Sequence, residues 1–201
     1  MRIGLFGGTF DPIHHGHLVL AERCRDAAKL DRVWFLPSYA PPHKADKSLS
    51  RFEHRVEMVS LAIAGHPSFD VEPIEKELPP PSYTAETLRE LHARHPDDTF
   101  ALILGADSVR DLPSWREPQR VVAQAELIAV PRPGVELPSR EVLADSLGTA
   151  VEDIRLTVVE SPLIEIASRD IRERVKLGQS IRYLVPRAVE EFVRERKLYR
   201  S

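Results

Sequence analysis

Residues that mark secreted or membrane-bound chains are scarce in this sequence. It has one cysteine, Cys24, which cannot form an intrachain disulfide, so a disulfide-stabilised secreted fold is excluded and a reducing compartment is favoured. No apolar run approaches the length that crosses a bilayer, and residues 1–6 already read as a strand, which leaves no room for a signal peptide. We therefore expect a soluble, cytoplasmic protein that does not bind membranes.

An excess of charge of one sign is also absent. The 28 Lys and Arg residues nearly balance the 31 Asp and Glu residues, for a formal net charge of -3. Proteins that bind nucleic acids nonspecifically are usually basic, so no nucleic-acid partner is expected, although this balance allows a local positive pocket. The 201 residues suffice for one buried core and show no linker, which predicts a single domain over residues 1–201 whose C-terminal portion, 161–201, is helical.

Short apolar runs alternate with helical patterns along the chain. Strands are predicted at Arg2–Phe6, Arg32–Leu36, Phe69–Glu72, Phe100–Leu104, Leu127–Val130 and Ile154–Val159. Helices are predicted at Leu18–Lys29, Ser50–Ala64, Thr84–His95, Pro118–Gln124, Ser139–Leu147, Ser168–Leu177 and Arg187–Arg196. The strand Phe100–Leu104 is uniformly apolar, which is typical of a parallel sheet covered on both faces. The alternation predicts an α/β fold: a doubly wound, Rossmann-like parallel sheet with helices on both faces, which binds ligands beyond the carboxyl ends of its strands.

The most informative motif follows the first predicted strand, where Gly7 and Gly8 precede His14 and His17. Glycines after a strand let a ligand approach the backbone, and the helix that follows directs free N–H groups to the same place. This arrangement favours a phosphate, although it matches neither the dinucleotide-binding fingerprint nor a P-loop. Two other interpretations stay open. One is an ordinary strand-to-helix turn, and the other is a pair of metal ligands on one helical face, for which no third ligand lies nearby.

The segment Gly7–Leu18 resembles the signature of the HxGH nucleotidyltransferases, in particular the bacterial nicotinate mononucleotide adenylyltransferases. The Ser82–Leu88 and Leu112–Trp115 blocks narrow the resemblance from the superfamily to the nicotinate enzymes. Blocks similar to that family follow in its own order along nearly the whole chain: Pro41–Lys44, Ser82–Leu88, Gly105–Ser108, Leu112–Trp115, Arg132–Gly134, Ile166–Arg172, Gly178 and Tyr183–Pro186.

The resemblance implies an adenylyltransferase that joins ATP and nicotinate mononucleotide to give deamido-NAD and pyrophosphate in NAD biosynthesis. The attacking phosphate is already ionised, so catalysis needs alignment and charge neutralisation rather than a strong base. Mg²⁺ is expected to arrive on ATP, with no metal site in the protein itself. The residues expected to be catalytic, through contacts to the phosphates, are His14, His17, Ser168 and Arg172. Ser168 is also expected to cap the helix that begins there.

A larger set of residues is expected to bind ATP: Gly8, Thr9, Phe10, His43, Lys44, Gly105, Asp107 and Arg169. Asp107 can accept hydrogen bonds from the ribose diol, and a helix cap is its alternative role. The second signature departs from the family's Ile-Ser-Ser-Thr-x-Ile-Arg at Ala167 and Arg169, where a hydroxyl is lost and a cation is gained. Arg55, on the second predicted helix, is a weaker candidate for phosphate binding.

The nicotinate mononucleotide is expected to contact Thr84, Trp115 and Arg132. An indole offers a flat face to a pyridine ring, and the backbone N–H of Thr84, at a helix start, can bind the ring carboxylate. A related enzyme acting on nicotinamide mononucleotide stays open as an alternative. A phosphopantetheine enzyme, a noncatalytic nucleotide sensor and an NAD-dependent dehydrogenase fit the motifs less well. The sequence leaves the oligomeric state open, a homo-oligomer included.

Overall fold

The computed structural model describes residues 1–40 and 49–200. Its strands are β1 Arg2–Gly8, β2 Arg32–Pro37, β3 Phe69–Val71, β4 Thr99–Gly105, β5 Ala125–Val130 and β6 Leu156–Val158. Its α-helices are α1 His15–Ala27, α2 Phe52–Ile63, α3 Thr84–Arg94, α4 Ala106–Asp111, α5 Pro118–Gln124, α6 Arg140–Leu147, α7 Ser168–Lys176 and α8 Arg187–Glu195. Short 3-10 turns lie at Ile74–Lys76, Leu112–Ser114 and Val151–Asp153. None of the helices within these ranges is long and apolar enough to span a bilayer.

The six strands form one sheet in the order β3-β2-β1-β4-β5-β6, and every neighbouring pair is parallel. This confirms the predicted doubly wound α/β fold. After β1, the chain adds β2 and β3 on one side of β1. Strand β4 then pairs with β1 on its other side. The carboxyl ends align across this point, since Gly8 pairs with Pro37 and Gly105 pairs with Val130. A crevice at this edge, between β1 and β4, is where such sheets bind ligands.

Each face of the sheet carries its own apolar layer, because successive side chains of a strand point to opposite faces. In β1, Phe6 packs into the layer that contains α1, α2, α7 and α8, whereas Ile3 and Leu5 pack into the layer that contains α3, α4, α5 and α6. Cys24 is fully buried in the first layer, and burial raises the pKa of its thiol to about 12. The cysteine is therefore a packing residue.

Most predicted elements differ from the structure by a few residues at their ends, and three differences have a clear physical reason. Strand β1 continues through Gly8 because its pairing with β2 continues to that residue. Helix α1 begins at His15 rather than Leu18, because its first polar turn lacks the apolar stripe on which the prediction depended. The prediction missed α4, whose 6 residues are too few to show a helical period.

Candidate active site

The loop that joins β1 to α1 (residues 9–14) leaves the sheet at the crevice. Its Phe10 is buried, adopts the left-handed backbone region with φ 48°, and lies edge-on to His17 with ring centroids 5.1 Å apart. A Cβ on Gly8 would lie 2.9 Å from the Phe10 ring, closer than carbon atoms pack. Glycine at position 8 therefore lets Phe10 fold back onto the strand, and this packing sets the shape of the β1–α1 loop.

The two histidines of the motif lie against each other at the start of α1. His14 immediately precedes the helix, and its ring stacks on that of His17 with centroids 3.7 Å apart and an angle of 26° between the planes. The backbone N–H of His14 donates to Nδ1 of His17 at 3.3 Å. Because Nδ1 accepts this bond, the neutral His17 ring carries its proton on Nε2. His17 therefore presents an N–H donor on the side away from the backbone.

Burial keeps both rings neutral near pH 7. Loss of hydration, together with a smaller effect of the neighbouring His15, lowers the pKa of His14 to about 4. Burial also lowers the pKa of His17, with added contributions from His14 and from the positive charge of Arg132. Nδ1 of His14 is buried and makes no hydrogen bond within residues 1–40 and 49–200. A buried polar atom of this kind is costly unless a ligand satisfies it.

Helix α7 packs its first turns directly onto the β1–α1 loop. The hydroxyl of Ser168 donates to the carbonyl of Pro12 at 2.9 Å. Nη1 of Arg172, one turn later, donates to the carbonyl of Asp11 at 2.6 Å. Two of the residues predicted to act together with the histidines are therefore in contact with the histidine loop, although they lie more than 150 residues away along the chain.

The predicted capping role of Ser168 is wrong. The N-cap position of α7 is Ala167, which has no side-chain acceptor, and Ser168 is the first helical residue. Its hydroxyl is committed to the loop instead, so no side chain of the N-cap residue satisfies the N–H groups of the first turn. Arg169 is exposed and pairs with Asp170, with Nε and Oδ1 3.1 Å apart.

The sequence did not reveal a buried polar network beneath the loop. Arg55, 2% exposed, donates to the carbonyls of Thr9 at 2.9 Å and Ser50 at 3.1 Å. Asp11, also buried, accepts from the backbone N–H of Ser50 at 3.1 Å and from the hydroxyl of Tyr199 at 2.6 Å. Arg55 therefore contacts the backbone of the site, and these contacts fix the loop from below.

One member of this network had a signal in the sequence and another had none. Arg55 lies three residues after Phe52 and three before Met58, on the apolar stripe of α2, so its burial could have been inferred from helical spacing. Tyr199 contacts a residue 188 positions away, and no local pattern specifies such a contact.

Asp107 and Arg132 lie beyond the carboxyl ends of β4 and β5. Asp107 Oδ2 and Arg132 Nη1 are 3.5 Å apart, whereas Asp107 Oδ1 is buried and unpartnered within the described ranges. A Cβ on Gly105 would lie 2.6 Å from this Oδ1, so glycine allows the carboxylate to fold over the strand end. The positive charge of Arg132 also lowers the pKa of His17.

Thr84 and Trp115 lie on segments that contact each other through neighbouring residues. Thr84 is the first residue of α3, and Tyr83 before it provides no side-chain cap, so the N–H groups of this turn lack such a partner. Trp115 follows the 3-10 turn and packs, half-buried, against the apolar layer beneath α3. The two segments touch where the guanidinium of Arg116 lies 4.8 Å from the ring centroid of Tyr83.

Two predicted site residues, His43 and Lys44, lie outside the described residues. Among residues 1–40 and 49–200, no three His, Cys, Asp or Glu side chains are grouped so that they could hold a metal ion. The described part of the site thus consists of neutral imidazoles, guanidinium groups, helix N-termini and one carboxylate with an unpartnered oxygen. Such a set is suited to binding phosphates and a ribose.

Comparisons with known proteins agree with this chemistry. A family model described as Cytidylyltransferase-like matches residues 5–174. The chain is 44% identical over 198 residues to a "Probable nicotinate-nucleotide adenylyltransferase" of Geobacillus thermodenitrificans, a match that covers 98% of this chain and 86% of the relative. A protein of the same name from Thermomicrobium roseum is 42% identical over 200 residues, covering 100% of this chain and 92% of the relative.

Solved structures support the fold independently. The chain is similar to the Plasmodium falciparum nicotinic acid mononucleotide adenylyltransferase complexed with NaAD, with a TM-score of 0.78 and 20% identity, covering 98% of this chain and 97% of that one. The same protein complexed with APC gives a TM-score of 0.75. At this level of identity the likeness concerns the fold.

Proposed function

Because the chain belongs to the cytidylyltransferase-like family, and within it to the nicotinate-nucleotide adenylyltransferases, we propose that it joins ATP and nicotinate mononucleotide into deamido-NAD and pyrophosphate. One structural observation supports this chemistry beyond family membership. The histidine loop and the start of α7 touch through Ser168–Pro12 and Arg172–Asp11 at the switch point of the sheet. Donors from both ends of the chain thus converge where a triphosphate would lie.

The reaction is an in-line displacement at the α-phosphorus of ATP. A phosphate oxygen of the mononucleotide forms the new P–O bond, the bond to the bridging oxygen of the β-phosphate breaks, and pyrophosphate leaves with that electron pair. The nucleophile is an anion, so no protein base is required, and the protein aligns the groups and stabilises charge. We assign phosphate contacts to the Nε2–H of His17, to His14, to the backbone N–H of Ser168 and to the remaining N–H groups of the Arg172 guanidinium. The first turn of α7 brings further backbone N–H groups.

We propose the remaining ATP contacts from the family resemblance and, where the structure describes the residues, from their chemistry. We assign the ribose of ATP to Asp107, whose unpartnered Oδ1 can accept a hydroxyl, with Gly105 allowing close approach. The backbone at Gly8, Thr9 and Phe10, together with Arg169 and the His43-Lys44 segment, completes the proposed ATP site. Mg²⁺ would be held mainly by the phosphates of its substrate, because it binds readily through phosphate oxygens and water.

The mononucleotide is assigned to the other side of the crevice. Trp115 provides a face for the pyridine ring, and the backbone N–H of Thr84, at the start of α3, can donate to the ring carboxylate. Arg132, beside Asp107, is placed to bind the phosphate of the mononucleotide next to the reacting phosphorus. The amide NH₂ of nicotinamide would face hydrogen-bond donors instead of acceptors, so this arrangement disfavours nicotinamide mononucleotide. We further propose that residues 1–201 act as one domain and that the enzyme works in the cytoplasm.

The test is pyrophosphate release with ATP and either nicotinate or nicotinamide mononucleotide. We expect kcat/KM for the acid to exceed that for the amide by at least about a hundredfold, because the amide leaves buried donors unpaired. Equal turnover of the two would favour the nicotinamide alternative. ATP binding without pyrophosphate release from either substrate would instead identify a noncatalytic nucleotide sensor.

A further inference from the structure

We propose that Tyr199 and Asp11 form a positioning pair that keeps Arg172 and the β1–α1 loop in the arrangement the reaction requires. The inference rests on the proposed function and adds two residues to it. Neither residue is assigned a contact with substrate. Their effect on the substrate passes through Arg172, which donates a hydrogen bond to the backbone carbonyl of Asp11.

The carboxylate of Asp11 is enclosed, and among the residues that the structure describes each of its oxygens accepts one hydrogen bond. Asp11 is 1% exposed and follows the buried Phe10 in the chain. Oδ1 accepts the hydroxyl of Tyr199 at 2.6 Å, and Oδ2 accepts the backbone N–H of Ser50 at 3.1 Å. A buried charge is tolerated only when such hydrogen bonds replace its hydration. Loss of either partner therefore leaves an oxygen that must find another donor.

Tyr199 reaches Asp11 from the last described residues of the chain, just after α8. Lys197 and Tyr199 itself adopt left-handed backbone angles, φ 54° and 61°, which residues other than glycine rarely adopt. These angles turn the tyrosine back toward α2, where its hydroxyl also lies 3.9 Å from Sδ of Met58. Burial and the charge of Asp11 raise the pKa of the Tyr199 hydroxyl above its usual value, so it remains a donor.

Two guanidinium groups surround the pair and would compete for an oxygen that Tyr199 released. Arg55 donates to the carbonyl of Thr9, and Arg172 donates to the carbonyl of Asp11. The charge of Asp11 acts on Arg55, and that of Arg172 acts on Tyr199. Without the tyrosine hydroxyl, the carboxylate would attract Arg172 directly and draw it away from the ATP phosphates. The hydroxyl thus leaves Arg172 available for phosphate.

The test compares Tyr199→Phe with Tyr183→Phe, the same change at a tyrosine whose residue surface is 84% exposed. For Tyr199→Phe we expect kcat/KM for ATP to fall about tenfold, the effect of losing one hydrogen bond to a buried charge. We expect KM for nicotinate mononucleotide to change less than about twofold and the melting temperature to stay within a few degrees of wild type. Tyr183→Phe should match wild type throughout.

A second variant separates the positioning role from simple destabilisation. In the double variant Asp11→Asn/Tyr199→Phe the competing charge is gone, so kcat/KM for ATP should recover relative to Tyr199→Phe alone. Equal kinetics for the two tyrosine variants would overturn the inference, as would a loss of activity that merely followed the unfolded fraction. If the double variant does not fold, the comparison of Tyr199→Phe with Tyr183→Phe tests the inference by itself.

Failure of the proposed function is recognised separately. A wild-type protein that releases no pyrophosphate contradicts the proposed reaction, whatever the variants do. In that case the dissociation constant for ATP, measured by calorimetry, still tests the pair: Tyr199→Phe should bind ATP more weakly than Tyr183→Phe, and equal binding would refute the inference.

Discussion

The protonation and orientation of His14 and His17 depend on the stacking and burial of their imidazole rings. Stacked at 3.7 Å and largely removed from water, both have lowered pKa values and enter the reaction as neutral donors. Bound phosphates would bring negative charge beside them and favour the protonated form. The stacking also orients both rings before substrate arrives, which reduces the reorganisation needed during the reaction.

At this scale the decisive substitution is His17→Ala, with His15→Ala as its matched control. We expect kcat to fall about 10²- to 10³-fold for His17→Ala, because one preorganised donor to the reacting phosphates is lost. His15→Ala should stay within a few-fold of wild type, since the contact of His15 to Leu184 uses its backbone N–H and survives the change. Steady-state pyrophosphate release measures both, and equal losses in the two variants would contradict the assigned role.

The β1–α1 loop takes its shape from packing at one of the two glycines that end β1. An added Cβ at Gly8 meets the Phe10 ring at 2.9 Å, whereas at Gly7 nothing lies within 4 Å. Both glycines follow the same apolar run, and no local pattern shows which of them must be glycine for packing reasons. The structure distinguishes them because only position 8 lies under the folded-back aromatic ring.

This difference predicts that the same glycine-to-alanine substitution will destabilise the protein at position 8 and have little effect at position 7. Gly8→Ala should lower the free energy of unfolding by about 1–3 kcal/mol, because the buried Phe10 ring must move. It should also lower kcat/KM, since the ring contacts His17. Gly7→Ala should change stability by less than about 0.5 kcal/mol. Urea unfolding followed by circular dichroism compares them, and similar destabilisation in both would show that the Phe10 contact does not set the loop.

At the scale of the whole molecule, C-terminal segments pack against the N-terminal segments that form the site. Helices α7 and α8 share an apolar layer with α1 and α2, and the end of the chain reaches Asp11 next to the first strand. Stability and site geometry are therefore linked, since the contacts that pack the C-terminal helices are the ones that hold the histidine loop.

Acid should destabilise the ligand-free protein. The pKa of His14 determines the pH range over which the free energy of unfolding falls. Its pKa is about 4 when folded, against 6.5 for an ordinary histidine, so between these values the unfolded chain binds more protons. The free energy of unfolding should therefore fall as pH is lowered from about 6.5 toward 4, by on the order of 2–3 kcal/mol from this group. The lowered pKa of His17 acts in the same direction.

Urea unfolding at several pH values checks this prediction. His14→Gln should weaken the dependence on pH, whereas His54→Gln, which removes a histidine from α2 outside the pair, should leave it unchanged. A profile that is flat between pH 6.5 and 4.5 in the wild type would contradict the burial argument.

Local chemistry in the sequence determined the α/β alternation, the parallel sheet and the segments that form the crevice. Those properties follow from the period of apolar residues and from the chain direction of parallel strands, whose carboxyl ends meet at one edge. Only the tertiary structure decided that Ala167 rather than Ser168 precedes α7, that Arg55 serves the loop backbone, and that Tyr199 meets Asp11. These outcomes depend on which atoms come within hydrogen-bond distance after residues far apart in the chain have packed, and no local pattern encodes such distances.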